Sequence, residues 1–403
     1  MIRAGVVLAL GASPLAAQGR AEWMARGVVA LRHADPAPGG GTDTELRLSQ
    51  PTASLDVALR HGLQFRATVN LESLTMPRGE LTPGGWGEGY VDRRHPHTTV
   101  HELMLVGSDL LGRHDGAWEV GLAMGKGFAP FGTDDPMSRP FLSYPVNHHF
   151  AQVLERAVAV AQVRRGAFLV EAAVFNGDEP ERPGQWPLIR HDGTWRFGDS
   201  WSARFTATPR RGLELQASAA RVHSPEHRPG AGGVHRKRSV AVRWDHQDPT
   251  GRRYLLAEWA RNDELEGTFV FHSALVEGAV RRGRFGAAYR FERTERPEEH
   301  RLTDPYRTQR PHLENSILGV LRWSLHKLQL DLELAPTGTP VRVRPFVEVT
   351  LGRVAKVGGG IADPATIYGG DRVRHLTVGI VLERTRHEHR MGRYGLAAPD
   401  RHH

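Results

Sequence analysis

Cysteine is absent from the 403 residues, aromatic residues make up only 7% of them, and no apolar run past the first twenty residues is long enough to matter for a bilayer. Without cysteine there are no disulfide scaffolds, no thiolate metal sites and no cysteine nucleophiles. Without a run approaching the roughly 20 residues that span hydrocarbon as a helix, a helical membrane protein is excluded. Acidic charge is in deficit, with 45 Asp and Glu against 53 Lys and Arg, a formal balance of +8. Mean hydropathy is −0.43, yet Val, Leu, Ala and Phe recur along the whole chain, which is not the composition of a disordered polyelectrolyte. The polarity is therefore built into the elements themselves.

The first residues read as a targeting segment. A basic start at Arg3, an apolar stretch from Ala4 to Leu10 and a small-residue exit through Ala16 and Ala17 match a secretory signal, so residues 1–17 are expected to be removed. The mature chain would begin near residue 18, and the loss of Arg3 lowers its charge by one.

Beyond that point the dominant period is two. Leu63, Phe65, Ala67 and Val69 alternate with Gln64, Arg66, Thr68 and Asn70. Trp201, Ala203, Phe205 and Ala207 alternate with Ser202, Arg204, Thr206 and Thr208; Val240, Val242 and Trp244 flank Arg243. The same holds for Phe285 to Phe291 around Arg290, and for Val341 to Leu351 around Arg342, Arg344 and Glu348. Strict alternation predicts strands with one apolar and one polar face. The polar face carries ionised Arg and Glu in strand after strand, while the apolar face is light, which favours a wet interior and a lipid-facing exterior over a soluble sandwich or β-helix.

Short Arg-, His- and Gly-rich links punctuate the strands at His61-Gly62, Arg113 to Gly116, Arg164 to Gly166, Arg210 to Gly212, Asp248 to Gly251, Arg281 to Gly283 and His326-Lys327. Read as seven tight hairpins, they supply fourteen strands. Adding one strand at about 22–33 and one at about 373–385 predicts sixteen. An even count with both termini on one rim closes without an edge, as hydrocarbon demands. The expected fold class is thus all-β, a transmembrane antiparallel β-barrel over residues 18–385, with short periplasmic turns, long external loops, and residues 386–403 as a periplasmic C-terminal tail.

At Gly125-Lys126-Gly127-Phe128-Ala129-Pro130-Phe131-Gly132, at Val174-Phe175-Asn176-Gly177-Asp178 and at Arg344-Pro345-Phe346-Val347-Glu348 the sequence resembles the Gram-negative outer-membrane porins, most of all the phosphate-selective (O/P-type) group. The resemblance implies a cell-outer-membrane location and a sixteen-stranded, trimeric diffusion channel whose third external loop folds inward. Two departures stand beside it: the last strand is followed by a basic tail rather than ending on an aromatic residue, and no run of lysines stands where a phosphate-selective channel would carry one.

The candidate inward loop is 128–150. Four prolines, at 130, 136, 140 and 145, stiffen it. Asp134, Asp135, Arg139, His148 and His149 are the candidate constriction residues, with the three charged ones set across the pore from wall arginines to create a transverse field. Polar parity assigns Arg66, Arg204, Arg243, Arg290, Arg322, Arg342, Arg344 and Glu348 to the lumen wall. The small basic excess there predicts weak anion preference, with outer-membrane lipid and small polar or anionic solutes as partners and a homotrimer as the assembly.

Other chemistries are weaker. His95 and His97 with His101 and Glu102, or His148 and His149 with Glu155, sit in loops without a scaffold for a metal, so no metal and no cofactor are expected. No Gly-x-Ser-x-Gly elbow supports a barrel-borne hydrolase, and no catalytic residue is assigned. Arginine spread over every turn is not a nucleic-acid patch. The competing class is a non-conducting barrel that serves as an envelope scaffold or adhesin.

Overall fold

The computed structural model describes residues 21–37, 41–75, 98–108, 110, 118–153, 155–178, 184, 186, 197–223, 233–299, 317–334, 341–384 and 390–398. The candidate signal at 1–17, the link at 113–116, His95, His97 and the tail residues 386–389 and 399–403 lie outside the described residues.

Sixteen strands form one closed antiparallel barrel. They are β1 Ala21–Asp35, β2 Asp43–Ala58, β3 Leu63–Asn70, β4 Val100–Gly107, β5 Glu119–Gly127, β6 Arg156–Arg165, β7 Phe168–Phe175 and β8 Ser200–Arg210. The second half comprises β9 Leu213–His223, β10 Val234–Asp248, β11 Gly251–Glu264, β12 Phe269–Arg282, β13 Phe285–Glu299, β14 Ile317–Leu332, β15 Val341–Gly360 and β16 Arg372–Arg384. Each strand pairs with its sequence neighbour, and β1 closes on β16 in the register Val28↔Val381, Leu31↔Val378. Closure leaves no row of unpaired amides, the condition for a sheet that faces hydrocarbon.

The faces are inverted relative to a soluble protein. Leu376 and Ile380 on β16 are 48% and 43% exposed, whereas Arg290 and Glu292 on β13 are both 0% exposed. The outward residues of β15 from Val341 to Leu351, up to the charge at Arg353, are all apolar, about the 9–11 residues that a tilted strand needs to cross a bilayer. The alternation in the sequence thus becomes a lipid-facing belt and a charged lumen.

Five of the seven expected tight links lie at strand ends on the rim that carries the N-terminus of β1 and the C-terminus of β16, and the link at 113–116 is outside the described residues. The seventh is displaced. His326 and Lys327 lie in the middle of β14, opposite Leu351 and Thr350 of β15, and the turn instead follows Leu332. Lys327 points inward and sits 3.1 Å from Glu292, so the basic dipeptide reflects lumen charge and not turn chemistry. On the opposite rim the sequence reading passes over two short links, at 36–42 and 265–268. With the first counted, the segment 128–155 is the third loop on that rim (L3).

Candidate functional site in the barrel lumen

L3 leaves the end of β5 and crosses the lumen before returning to β6. Its near part is pinned by the Gly132 amide, which donates to Ser218 Oγ (2.9 Å), and by the Thr133 hydroxyl, which donates to Glu258 (2.6 Å). Asp135 caps a short turn at Pro136–Ser138 by accepting from the Met137 amide. The far part is held by wall side chains that reach in from β11 to β15. Asn147 Nδ2 donates to Glu258 (2.8 Å), the Val146 amide to Glu292 (2.7 Å) and the Ser143 hydroxyl to Glu348 (2.9 Å). Arg290 and Lys327 donate to the Ser143 and Tyr144 carbonyls. These bonds satisfy loop backbone that would otherwise sit unpaired inside the barrel, which is how an irregular segment can occupy a lumen.

A second segment enters from the other side. Residues 390–398, expected as part of a periplasmic tail, re-enter the barrel and pack along the inner wall of β3 to β9. The cause is chemical: the segment carries two arginines and a tyrosine into a wall rich in carboxylates. Arg390 donates to both oxygens of Asp134 (2.9 and 2.6 Å) and to both of Glu214 (2.5 and 2.9 Å). Arg393 Nε donates to Asp134 (3.2 Å). The Tyr394 hydroxyl donates to Glu102 (2.9 Å) and accepts from the Phe128 amide (3.0 Å). Gln162 bonds the Tyr394 carbonyl and the Leu396 amide, and Arg66 and Arg204 donate to the Arg393 and Gly392 carbonyls.

Close approach of this segment needs glycines on both sides. A Cβ on Gly127 of β5 would lie 2.3 Å from the Tyr394 hydroxyl. Gly392 and Gly395 take φ of +75° and +50°, which L side chains rarely adopt. The apolar residues Phe128, Met137, Tyr144 and Met391 then close into one buried cluster that joins L3 to the tail.

Asp134 is the node between the two segments. It is 2% exposed and lies within 3.2 Å of Arg243, Arg390 and Arg393. Burial would lift its pKa, but Arg390, then Arg243 and Arg393, hold it well below the usual carboxylate range. Burial lowers Arg390 as well, and Asp134 and Glu214 overcome this and raise it. Arg393 is pushed down to about 10, first by burial and then by Arg204 and Arg390.

The sequence-predicted residues are thus placed as follows. Asp134 touches its arginine partners directly, without an aqueous gap. Asp135 is spent on a turn cap, and Arg139 is buried beside Thr133 and 3.8 Å from Glu258. His148 stacks on Tyr144 with ring centroids 4.9 Å apart. His149 lies in the short helix His148–Ala151, and its side chain is outside the described residues. Arg66, Arg204, Arg243, Arg290, Arg344 and Glu348 face the lumen, as does Arg342 by parity. Arg322 does not. It shares its parity with the outward residues of β14, opposite to that of the inward Trp323, and pairs on the outer face with Glu295 (2.6 Å). Among the described residues no group of three or more His, Asp or Glu could hold a metal, and His101 instead bonds Glu155 (2.7 Å). Arg390, Arg393, Glu214 and Glu258 complete the site. The two glutamates carried a lumen parity signal in the sequence; the two arginines carried none.

Below L3 lies a cavity of about 800 Å³ that faces the short-turn rim. Met137 to Pro140 of L3 and Arg390 and Met391 of the tail form its roof. Eight arginines line it (26, 139, 243, 252, 281, 342, 344 and 390) against the four carboxylates of Asp248, Asp331, Glu333 and Glu383.

No family model and no curated relative matches the sequence. Among solved structures, the chain is similar to OprB of Pseudomonas putida (TM-score 0.51, 12% identity, 90% of this chain and 94% of that one). It is also similar to an anion-selective porin from Comamonas acidovorans (TM-score 0.50, 9% identity, 91% and 100%). Both likenesses are of fold. With its closed sheet, lipid-facing belt and charged lumen, this chain is a sixteen-stranded β-barrel of the outer-membrane class.

Proposed function

We propose that the chain is an outer-membrane channel for small hydrophilic solutes, with a preference for anions set in the vestibule beneath L3. The observation that carries this reading is the cavity of about 800 Å³ lined by eight arginines and four carboxylates, inside a barrel whose exterior is apolar. Arg139, Arg243, Arg252 and Arg390 are paired with Glu258, Asp134, Asp245 and Glu214 just behind the lining, so the preference is weak and comes from the guanidinium groups being the charges that face the cavity. L3 and the C-terminal segment together form the constriction, with Asp134 and Arg139 serving to lock the loop and not to line an open gap. The name of the Comamonas protein agrees with anion preference, and the arginines are the feature through which the resemblance to phosphate-selective porins would act here.

Assembly as a homotrimer belongs to the same reading. Ala161, Ala172, Ala203 and Ala219 are cross-strand neighbours on the outer face of β6 to β9 and form a flat row of small side chains suited to close contact with another copy.

Planar-bilayer recording of the refolded mature chain under a KCl gradient tests the proposal. Stepwise conductance with a reversal potential of anionic sign supports it, and closures in three steps support the trimer. The tail inside the lumen favours one alternative, a barrel held shut as an envelope scaffold. Absence of conductance both from the full chain and from a chain ended at residue 385 would favour that alternative.

A further inference from the structure

The outer face of the barrel carries charge that the channel reading leaves unused. On the long-loop side of the apolar belt, outward positions of β9 to β16 present Arg221, Arg236, Arg238, Arg353, Arg372 and Arg374, all exposed. Below them the outward residues turn apolar at once: Val240 and Val242 on β10, Leu351 and Val349 on β15, Leu376 and Val378 on β16. A lipid-facing arginine costs about 2–4 kcal/mol at the midplane and close to nothing at the interface, so this edge marks the boundary of the hydrocarbon.

Register makes the band unusual. Arg221 lies directly opposite Arg236 across β9 and β10, and Arg353 lies directly opposite Arg372 across β15 and β16. Like charges in facing cross-strand positions destabilise a sheet unless an anion sits between them. Among the described residues no carboxylate is within ion-pairing distance of these four arginines, whereas Arg261 and Arg322, also on the outer face, are paired with Asp263 and Glu295. Among the described residues, two cation pairs are thus left without a carboxylate at the level where the headgroups of the outer leaflet begin.

We infer that each arginine pair is a binding site for a phosphate group of the phosphorylated glycolipid that forms the outer leaflet of this membrane. Guanidinium groups bind phosphate bidentately, and the acyl chains would lie on the valine and leucine belt directly below. The inference needs the long-loop rim to face outward, and it does not depend on whether the lumen conducts.

The test uses the full-length barrel in detergent, with bound lipid counted by native mass spectrometry and affinity taken from titration with a diphosphorylated glycolipid. Each arginine near an anionic surface contributes roughly fivefold in affinity, so Arg221→Gln with Arg236→Gln should lose about 25-fold at one site. Arg353→Gln with Arg372→Gln should do the same at the other, each double variant retaining one lipid fewer than the parent. Arg→Lys at the same four positions should weaken binding less than the Gln variants, because it keeps the charge and loses only the bidentate geometry, and heat-modifiable gel migration reports folding for every variant. Equal retention by the Gln variants would overturn the inference, as would equal binding of the dephosphorylated glycolipid. Competition by millimolar inorganic phosphate as effective as that by the glycolipid would assign the pairs to free anion instead. Arginine-dependent oligomers in lipid-free detergent would assign them to a second copy of the chain.

Discussion

Replacing Arg390 by Met should release the C-terminal segment from the lumen. Its guanidinium makes four hydrogen bonds to Asp134 and Glu214, and all three side chains are largely enclosed by L3 and the wall. Removing one partner of a buried ion pair costs about 3–5 kcal/mol, because the remaining charges stay buried without compensation. Arg243 lies 3.2 Å from Asp134 and 3.5 Å from Glu214 and takes up part of that loss, so the low end applies. A shift of about 3 kcal/mol is more than a hundredfold in the ratio of docked to released tail. The cysteine-free sequence makes this measurable, since Met391→Cys introduces a single thiol at a position 3% exposed in the docked state. Its rate of modification by a charged thiol reagent should rise by about two orders of magnitude when Arg390→Met is added, with Arg390→Lys intermediate. Single-channel conductance should rise in parallel, as Arg390 and Met391 leave the roof of the vestibule. A modification rate within threefold of the parent, in a barrel that still shows folded gel migration, would refute the claim that this ion cluster holds the segment in place.

Three further outcomes follow from the same geometry. Gly127→Ala should release the tail without touching any charge, because its Cβ would lie 2.3 Å from the Tyr394 hydroxyl; thiol modification at position 391 should rise by at least about tenfold, and an unchanged rate would show that β5 can yield instead. Asp134 has its pKa depressed by Arg390, Arg243 and Arg393 in the docked state and less depressed once the tail leaves it with Arg243 alone, so docking is fully supported above the ordinary carboxylate value of about 3.9 and weakens only as pH falls below it. The modification rate, corrected for reagent chemistry, should therefore be flat from pH 7 to about 5 and climb below about 4, whereas a rise between pH 7 and 6 would implicate a histidine. Arg342→Glu changes the vestibule from eight arginines and four carboxylates to seven and five, and should move the reversal potential in a KCl gradient toward the cation side without altering folding.

Much of the barrel was legible because its physics is local. Period-two alternation, Gly-centred turns and an even strand count are each visible in a short window, and together they define a closed sheet. The failures came where one signal has two physical sources. His326-Lys327 looks like the basic turns at Arg164 and Arg210, yet Lys327 is basic because it meets Glu292 across the lumen. Arg322 sits in a strand whose inward residues are unusually apolar at this height, namely Leu321, Trp323 and Leu325, so counting polar residues as inward inverts its parity. At the rims both faces of a strand carry charge, and alternation stops telling inside from outside.

The candidate site was legible only in half, and the missing half shows why. L3 announced itself through its prolines and its position after β5, and the resemblance that marked Gly125 to Gly132 pointed to the same loop. Nothing local distinguishes residues 390–398 from a solvated basic tail. Their placement depends on carboxylates 176 to 292 positions away in sequence, on Glu102, Asp134, Glu171 and Glu214, which are brought together only once the sheet has closed. That wall carries more buried carboxylate near L3 than wall arginines alone neutralise: Arg243 is shared between Asp134, Glu214 and Asp245, the last of which also meets Arg252, and Arg204 serves Glu171. A buried carboxylate left short of a partner is costly enough to recruit charge from any segment within reach. The tail that follows β16 starts at the rim where the vestibule opens and brings two arginines with it. Its docking in the lumen is therefore the charge balance of the barrel completed by the nearest free segment, and this is why the predicted effects of Arg390 and of Asp134 titration must appear in the same readout.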